Sequence, residues 1–226
     1  MEQDKFWDFQ QIELPESFLG SRARLAWLAR LLMKEEKVLN IGVGGGIFEE
    51  VALKRGIEVY SVDPSEKTII LIRDKLGLGD RAQVGRGEKL PFPDRKFNAV
   101  VVAEVLEHLS DEALEGTLRE IYRVLVPGGR IIGTVPNEED LASQYIFCPH
   151  CNQRFHRWGH VRAFDSLLMR DTLGRYFDVD TAKVRLFVSW KMLNWKGKIS
   201  AFIKLVLFSI GVHGRDENLV FIAFKR

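Results

Sequence analysis

Apolar runs alternate with amphipathic stretches from residue 38 onward, and this alternation predicts the order of elements. Five short runs predict strands: KVLNIG, EVYSVD, AQVGRG, FNAVVVAEV and RIIGTVP. Between them, IFEEVALKRG, SEKTIILIRDKLG and SDEALEGTLREIYRVL have helical spacing, the last with Ser110 or Asp111 as its N-cap and VPGG as its stop. Strands that alternate with helices favour an α/β fold with a mainly parallel sheet.

Further segments flank this alternating region. The first 37 residues are expected to form helices packed against it, because SRARLAWLARLLMK has a helical apolar stripe. After residue 163 the pattern predicts a helix, a strand, a mainly apolar segment and a last strand. Their sequences are FDSLLMRDTLGRY, AKVRLFV, WKGKISAFIKLVLFSIGV and NLVFIAFKR.

The composition favours one soluble domain. A chain of 226 residues that is 46% hydrophobic and 28% charged can bury a substantial core. The net charge of +2 is too small to indicate nucleic-acid binding. The start MEQDKFWDF does not resemble a signal peptide, and no uncharged apolar run reaches the ~20 residues of a membrane span. We therefore expect a cytoplasmic protein.

A glycine-rich turn follows the first predicted strand. Gly42, Gly44 and Gly46 have the spacing G-x-G-x-G, whereas a dinucleotide fingerprint would need a glycine at Ile47. Such a turn lets a ligand approach the backbone and the amides at a helix N-terminus. Asp63 lies 21 residues after Gly42, at the end of the second strand, where a carboxylate can accept both ribose hydroxyls. The pair indicates an adenosine-containing cofactor; the alternative is a tight turn with a helix-capping aspartate.

Longer motifs resemble those of a known family. VLNIGVGGG, VYSVDPS, GRGEKLPFPDRKFNAVVVAEVLEHL and LREIYRVLVPGGRIIGTVPN follow one another at the spacing of class I S-adenosylmethionine-dependent methyltransferases, of the type that acts on small molecules and lipids. The resemblance covers residues 38–137. It implies a Rossmann-like α/β fold: a seven-stranded mixed sheet with helices on both faces and NLVFIAFKR as an antiparallel last strand.

The resemblance also implies a binding site for S-adenosylmethionine. Its residues would be Asn40, Gly42, Gly44, Gly46, Asp63, Pro64, Gly87, Glu88 and Glu104. Two positions depart from the family pattern. Asn40 stands where an acidic residue is usual, and Arg86 stands where an aspartate often binds the adenine. An amide oxygen can still accept a hydrogen bond, but arginine has no acceptor.

Catalytic candidates follow the fourth predicted strand. Glu104, Glu107 and His108 lie at the carboxyl edge of the sheet, where α/β proteins bind ligands. We take His108 as the general-base candidate, because an unperturbed imidazole has a pKa near neutrality, with Glu104 beside it. Bracing of the next helix is an alternative role for His108. The three residues also look like part of the metal site of small-RNA 2′-hydroxyl methyltransferases, but Leu109 and the low net charge do not favour that function.

The stretch FCPHCNQRFHRWGH predicts a structural zinc site. Cys148, Cys151, His156 and His160 have ligand types and spacings that suit a tetrahedral zinc ion, with His150 as a substitute. A redox CxxC motif would need another fold context, and coincidence is the remaining alternative. His160 also begins an H-x-R-x-F element that many of these methyltransferases have without a metal.

One organisation accommodates these predictions: residues 1–37 as N-terminal helices, 38–137 as the cofactor-binding core, 138–163 as a zinc-stapled lid, and 164–226 as a C-terminal helix and strands. The expected reaction is methyl transfer to an oxygen, or else a nitrogen, of a lipid, quinone or sugar. A non-catalytic cofactor-binding or scaffold protein is the alternative. Residues 195–212 predict either a helix buried against the sheet or in a dimer interface, or a peripheral membrane contact through lysines and apolar residues.

Overall fold

A seven-stranded mixed sheet forms the centre of the molecule. The structure is a computed structural model that describes Trp7, residues 9–214 and residues 216–226. Its strands are β1 Lys37–Ile41, β2 Glu58–Asp63, β3 Ala82–Val84, β4 Phe97–Ala103, β5 Leu125–Pro136, β6 Tyr145–Phe147, β7 Arg154–His156, β8 Phe177–Leu186 and β9 Glu217–Lys225. The main sheet has the order β3-β2-β1-β4-β5-β9-β8, and β9 runs antiparallel to both neighbours. The predicted fold class and the antiparallel last strand are confirmed.

Six α-helices accompany the sheet in the described part of the chain. They are α1 Arg22–Arg30, α2 Ile47–Lys54, α3 Glu66–Leu76, α4 Asp111–Val124, α5 Ser166–Gly174 and α6 Trp195–Ser209. Ser110 is the N-cap of α4, because its hydroxyl accepts a hydrogen bond from the amide of Ala113. Before α1 the chain forms a π-helical turn, Phe9–Glu13, and a 3₁₀ helix, Pro15–Ser21.

The core lies on both faces of the sheet. Along β4, Val100 and Val102 pack into one apolar cluster with α4 and α5, while Ala99 and Val101 pack into a second cluster with α1, α2 and α3. Successive residues of a strand point to opposite faces, so a strand covered on both sides is apolar throughout. This explains why FNAVVVA has no polar alternation.

Strands β5 and β8 begin earlier than predicted. VPGG ends α4 as expected, but the strand already begins at Leu125, and a bulge between its pairings with Phe97 and Ala99 accommodates the glycines. Strand β8 begins at Phe177 rather than at Ala182. The residues before Ala182 alternate between buried or half-buried and exposed positions, which suits a strand at the edge of the sheet.

Helix α6 lies on the surface of the molecule. Among its side chains only Ala201 is buried, whereas Phe202 is 62% exposed and Trp195, Ile199 and Ile203 are also exposed. The prediction that this segment is buried against the sheet is therefore wrong. Among the helices that the structure describes, none has the length and apolar character needed to cross a membrane.

Candidate active site

The glycine-rich turn joins β1 to α2 with a backbone that only glycine adopts readily. Gly42 has a φ of +84°, and a Cβ atom there would lie 2.6 Å from Cγ2 of Val105. Gly44 and Gly46 also have positive φ. The turn thus brings unsubstituted backbone to the carboxyl edge of the sheet, as predicted.

Asp63 fixes this turn to the end of β2. One of its carboxylate oxygens accepts a hydrogen bond from the amide of Val43 at 2.8 Å, and the other accepts from the amide of Ser65 at 2.9 Å. The carboxylate is buried at the cleft beside the turn. A carboxylate at the carboxyl end of the second strand, beside the glycine turn, has the position expected of a ribose-binding residue.

Asn40 contacts a carboxyl group that the sequence analysis did not single out. Its amide nitrogen donates to Glu49 at 2.7 Å and to the carbonyl oxygen of Gly42 at 3.1 Å. Ser61 donates to the same Glu49 oxygen at 2.8 Å. Burial raises the pKa of Glu49 to about 7 despite these hydrogen bonds. Both hydrogens of the Asn40 amide are engaged, so its oxygen is left as the acceptor.

One cleft of about 720 Å³ connects these residues to the end of β4. The predicted cofactor-binding residues along it are Asn40, Gly42, Gly44, Asp63, Pro64, Gly87, Glu88 and Glu104. Gly46 is the exception, because a Cβ atom on it would meet Ile72 of α3 at 3.1 Å. Gly46 therefore permits helix packing, and its place in the cofactor site stays a prediction.

The N-terminal segment covers part of the cleft. Gln11 is buried; its side-chain nitrogen donates to Asp63 and its oxygen accepts from Thr68. The ring of Phe18 packs against Gly44, and Trp7 makes an edge contact with His108 at a centroid distance of 4.7 Å. Sequence reasoning predicted only packed helices here, because no periodic pattern marks these contacts.

Glu104 lies in a turn with a left-handed backbone, at a φ of +57°. Its carboxylate accepts hydrogen bonds from Thr134 at 2.9 Å and from Asn218 at 3.3 Å, and Arg24 lies 3.5 Å away. These contacts hold the side chain at the cleft. A non-glycine residue in this conformation is uncommon and is typical of functional turns.

His108 is buried at the end of the cleft, and this burial changes its pKa. Burial, and then the neighbouring His160, lower its pKa to about 3. The imidazole is therefore neutral at neutral pH and is only a weak base. The reason for naming His108 as the base, a pKa near neutrality, is wrong.

The four predicted zinc ligands do not converge. His156 pairs with Tyr145 at the open end of the hairpin of β6 and β7. The cysteines lie in the turn at the other end, which follows the pairing of Phe147 with Arg154. Two residues of a strand span about 6–7 Å, which separates His156 from that turn. Within the turn, the backbone amides of Cys151 and His150 lower the pKa of the Cys148 thiol.

Instead, the structure brings His156 and His160 to Glu139, which the sequence analysis did not name. Nε2 of His156 lies 3.5 Å from one Glu139 oxygen, and Nδ1 of His160 hydrogen-bonds to the other. The two imidazole rings stack at 4.6 Å, and His160 also meets His108 at 4.6 Å. Among the described residues, neither cysteine belongs to a group of three or more side chains that could share a metal ion.

Comparison with known proteins agrees with this geometry. Residues 39–133 match the family described as a methyltransferase domain. This match assigns residues 39–133, somewhat less than half of the chain, to a methyltransferase domain. The domain begins within β1 and includes the glycine turn, Asp63 and His108.

Curated relatives share this methyltransferase domain. The chain is 31% identical over 129 residues to the ubiquinone biosynthesis O-methyltransferase of Pseudomonas aeruginosa, covering 55% of this chain and 54% of that protein. It is 36% identical over 107 residues to the ubiquinone/menaquinone biosynthesis C-methyltransferase UbiE of Neisseria meningitidis, covering 45% and 43%. The chain spans about half the length of these curated relatives.

A solved methyltransferase has the same fold over nearly the whole chain. It is the Burkholderia thailandensis 1,6-didemethyltoxoflavin-N1-methyltransferase with bound 1,6-didemethyltoxoflavin and S-adenosylhomocysteine. The TM-score is 0.66 at 16% identity, and the match covers 99% of this chain and 86% of that chain. At this identity the likeness shows the fold alone.

Proposed function

We propose that the protein transfers the methyl group of S-adenosylmethionine to an oxygen of a small lipid-like or quinone-like acceptor. The observation that carries this proposal is the single cleft that joins the glycine turn and Asp63 to the carboxylates and imidazoles near β4. By its name, the Pseudomonas relative methylates oxygen in ubiquinone biosynthesis, which supports the acceptor class. Transfer to nitrogen is the second acceptor chemistry.

The cofactor end of the cleft fits S-adenosylmethionine. We propose that Asp63 accepts the ribose hydroxyls and that the oxygen of Asn40 accepts from the cofactor's ammonium group. Gly87 lets the backbone pass close to α4, because a Cβ atom there would lie 2.7 Å from the hydroxyl oxygen of Thr117. We assign the adenine to the backbone of Gly87 and Glu88, with Pro64 beside the ribose.

The acceptor end has to orient an oxygen against the methyl group. S-adenosylmethionine would supply an electrophilic methyl carbon: a C–O bond to the acceptor would replace the C–S bond, whose electron pair would stay on sulfur, and the hydroxyl proton would pass to solvent. Positioning then accounts for much of the catalysis. We propose that the fixed carboxylate of Glu104 complements the cofactor's positive charge, and that the neutral His108 positions the acceptor.

A membrane surface is the proposed source of the acceptor. Phe202 of α6 and Ile210 directly after it are exposed apolar side chains, and Lys196 and Lys198 are exposed in the first turn of the same helix. This combination suits an anionic lipid surface. The turn before this helix contacts the segment that covers the cleft, since the Ser189 hydroxyl donates to the carbonyl of Gly20 at 3.0 Å. Apolar acceptors could thus pass from the bilayer to the cleft.

Transfer of a labelled methyl group tests the activity. The purified chain is incubated with methyl-labelled S-adenosylmethionine and matched acceptors: a prenylated catechol, a water-soluble catechol and the prenylated dimethyl ether. We expect label in the prenylated catechol, less in the soluble one and none in the ether. Binding of S-adenosylhomocysteine without transfer to any acceptor would support the non-catalytic alternative instead.

Two predictions from the sequence remain without support from the described residues. A zinc ion at the cysteine pair would need ligands beyond Cys148 and Cys151, because the two histidines lie elsewhere. A cytoplasmic location stays a prediction that cell fractionation would test.

A further inference from the structure

Three buried side chains converge at the acceptor end of the cleft. One ligand atom each from Glu107, His108 and His160 lies within 4.8 Å of the other two. They come from the turn after β4 and from the end of the segment that follows the hairpin of β6 and β7. A backbone hydrogen bond of 2.9 Å from Val161 to the carbonyl of Glu107 holds the two segments together.

Glu107 is the least expected member of this group. Glu107 is 1% exposed. Neither of its carboxylate oxygens accepts a hydrogen bond from another residue that the structure describes. A buried carboxyl group without a hydrogen-bond partner costs about 1–3 kcal/mol even when it is neutral, and more when it is charged. A bound cation would compensate it.

The hydrogen bonds of His156 and Glu139 determine which nitrogen of His160 is available. Nδ1 of His156 accepts from the amides of Trp158 and His160 at 3.3 and 3.1 Å, so the neutral ring carries its hydrogen on Nε2. That Nε2 faces Glu139 at 3.5 Å. The other Glu139 oxygen bonds Nδ1 of His160, which fixes a hydrogen there and leaves Nε2 with the lone pair. A carboxylate behind a histidine is the usual second layer of a metal site.

His108 is in the form that binds metal ions. One of its ring nitrogens hydrogen-bonds to the backbone of Gly159, which requires a hydrogen on that atom and leaves a lone pair on the other. Metal ions bind the neutral imidazole.

We propose that Glu107, His108 and His160 bind one divalent first-row transition-metal ion, with Glu139 and His156 orienting His160. Two imidazoles and one carboxylate favour such an ion over Mg²⁺ or Ca²⁺, which prefer oxygen ligands. Three protein ligands leave a coordination position open toward the cleft, which His108 and His160 line.

The open position gives the site a role in the proposed reaction. An acceptor hydroxyl bound to the ion would have a lowered pKa and would lose its proton to solvent, with no need for a basic side chain. This role rests on the proposed function, whereas metal binding itself does not.

Metal loading of the full chain tests the site. The Cys148→Ser, Cys151→Ser variant is used as background, so that thiol ligands cannot contribute. The protein is titrated with Co²⁺ or Zn²⁺, and excess metal is removed before elemental analysis and visible spectroscopy. We expect about one ion per chain in this background. Metal that disappears with the cysteines would overturn the proposal.

Single variants in the same background locate the ion. We expect Glu139→Gln to weaken Co²⁺ binding by about 10–100-fold, the loss typical of residues that support a ligand from behind. Glu107→Gln and His160→Gln should each weaken it more, because they remove a ligand. His213→Gln, at an exposed histidine, is the matched control and should leave binding unchanged. Equal binding by Glu107→Gln, His160→Gln and the background protein would refute the site.

Calorimetry with S-adenosylhomocysteine on the same samples shows that each variant is folded. If Glu107→Gln or His160→Gln fails to bind S-adenosylhomocysteine, the other of these two variants still tests the metal site. One ion bound in a protein that methylates no acceptor would leave the metal site intact and overturn the proposed function. Methyl transfer unaffected by metal removal would overturn the role of the ion in the reaction.

Discussion

Gln11 donates a hydrogen bond to the Asp63 carboxylate at 3.4 Å. The N-terminal segment therefore already contacts the residue that we assign to the cofactor's ribose. A bond of this length is weak, so a ribose hydroxyl can replace it at little cost. The segment, with Phe18 against the glycine turn, is well placed to cover the bound cofactor.

The glycine turn should tolerate no side chain at Gly42. The variant Gly42→Ala combines a φ of +84° with a Cβ atom 2.6 Å from Val105, so we expect weaker S-adenosylhomocysteine binding and a loss of about 1–3 kcal/mol in the free energy of unfolding. Calorimetry and urea titration measure the two effects. Gly77→Ala is the control, since its φ is +64° but no atom lies within 4 Å of the added Cβ. Gly77→Ala should lose about 1 kcal/mol in the free energy of unfolding and bind S-adenosylhomocysteine as wild type does. Equal binding of S-adenosylhomocysteine by the two variants would contradict the role of Gly42 in the turn.

Burial of Glu49 should make stability depend on pH. The pKa of Glu49 is 4.5 for an ordinary glutamate, as in the unfolded chain, and about 7 in the folded protein. Between pH 4.5 and 7 the folded protein therefore binds the proton that the unfolded chain has lost. The contribution of protonated Glu49 to the free energy of unfolding is fully present below about pH 4.5 and is lost as the pH rises through about 7. In total it is on the order of 3 kcal/mol. Urea titrations of wild type and Glu49→Gln at several pH values measure the difference. Parallel curves for the two proteins would show that Glu49 does not titrate in this way.

The exposed face of α6 should bind anionic vesicles. We expect Phe202→Ser with Ile210→Ser to weaken binding to phosphatidylcholine vesicles containing phosphatidylglycerol by about tenfold or more, without loss of stability, because both side chains are exposed, at 62% and 69%. Co-sedimentation measures binding, which should also fall as salt rises.

The control for this experiment is Leu167→Ser, which removes a side chain 78% exposed on α5. It should bind vesicles as wild type does. If wild type ignores anionic vesicles and instead forms dimers that Phe202→Ser disrupts, α6 is an interface between two copies and the acceptor need not come from a membrane.

Features that depend on local patterns could be predicted from the sequence. The strands of the seven-stranded sheet, the glycine turn and Asp63 at the end of β2 follow from apolar runs and from spacing along a short stretch of chain. The position of Ser110 as N-cap likewise depends on the neighbouring residues alone.

Features that depend on distant contacts could not be predicted. Glu139 meets His156 and His160 only because the hairpin register directs those rings to it, and the same register keeps the cysteines apart from them. The low pKa of His108 likewise arises from burial beside His160, which no spacing in the sequence reveals. Exposure of α6 stayed one of two alternatives, because a nearly continuous apolar segment is more often buried.

Calorimetric titration with S-adenosylhomocysteine tests the central claim most directly, in wild type, Asp63→Ala and the control Asp74→Ala at an exposed position of α3. Hydrogen bonds to a charged group contribute about 1.5–3 kcal/mol each, so we expect Asp63→Ala to raise the Kd by about tenfold or more. Asp74→Ala should bind as wild type does. An unchanged Kd in Asp63→Ala, or no binding by the wild type, would contradict the assignment of this cleft to the cofactor.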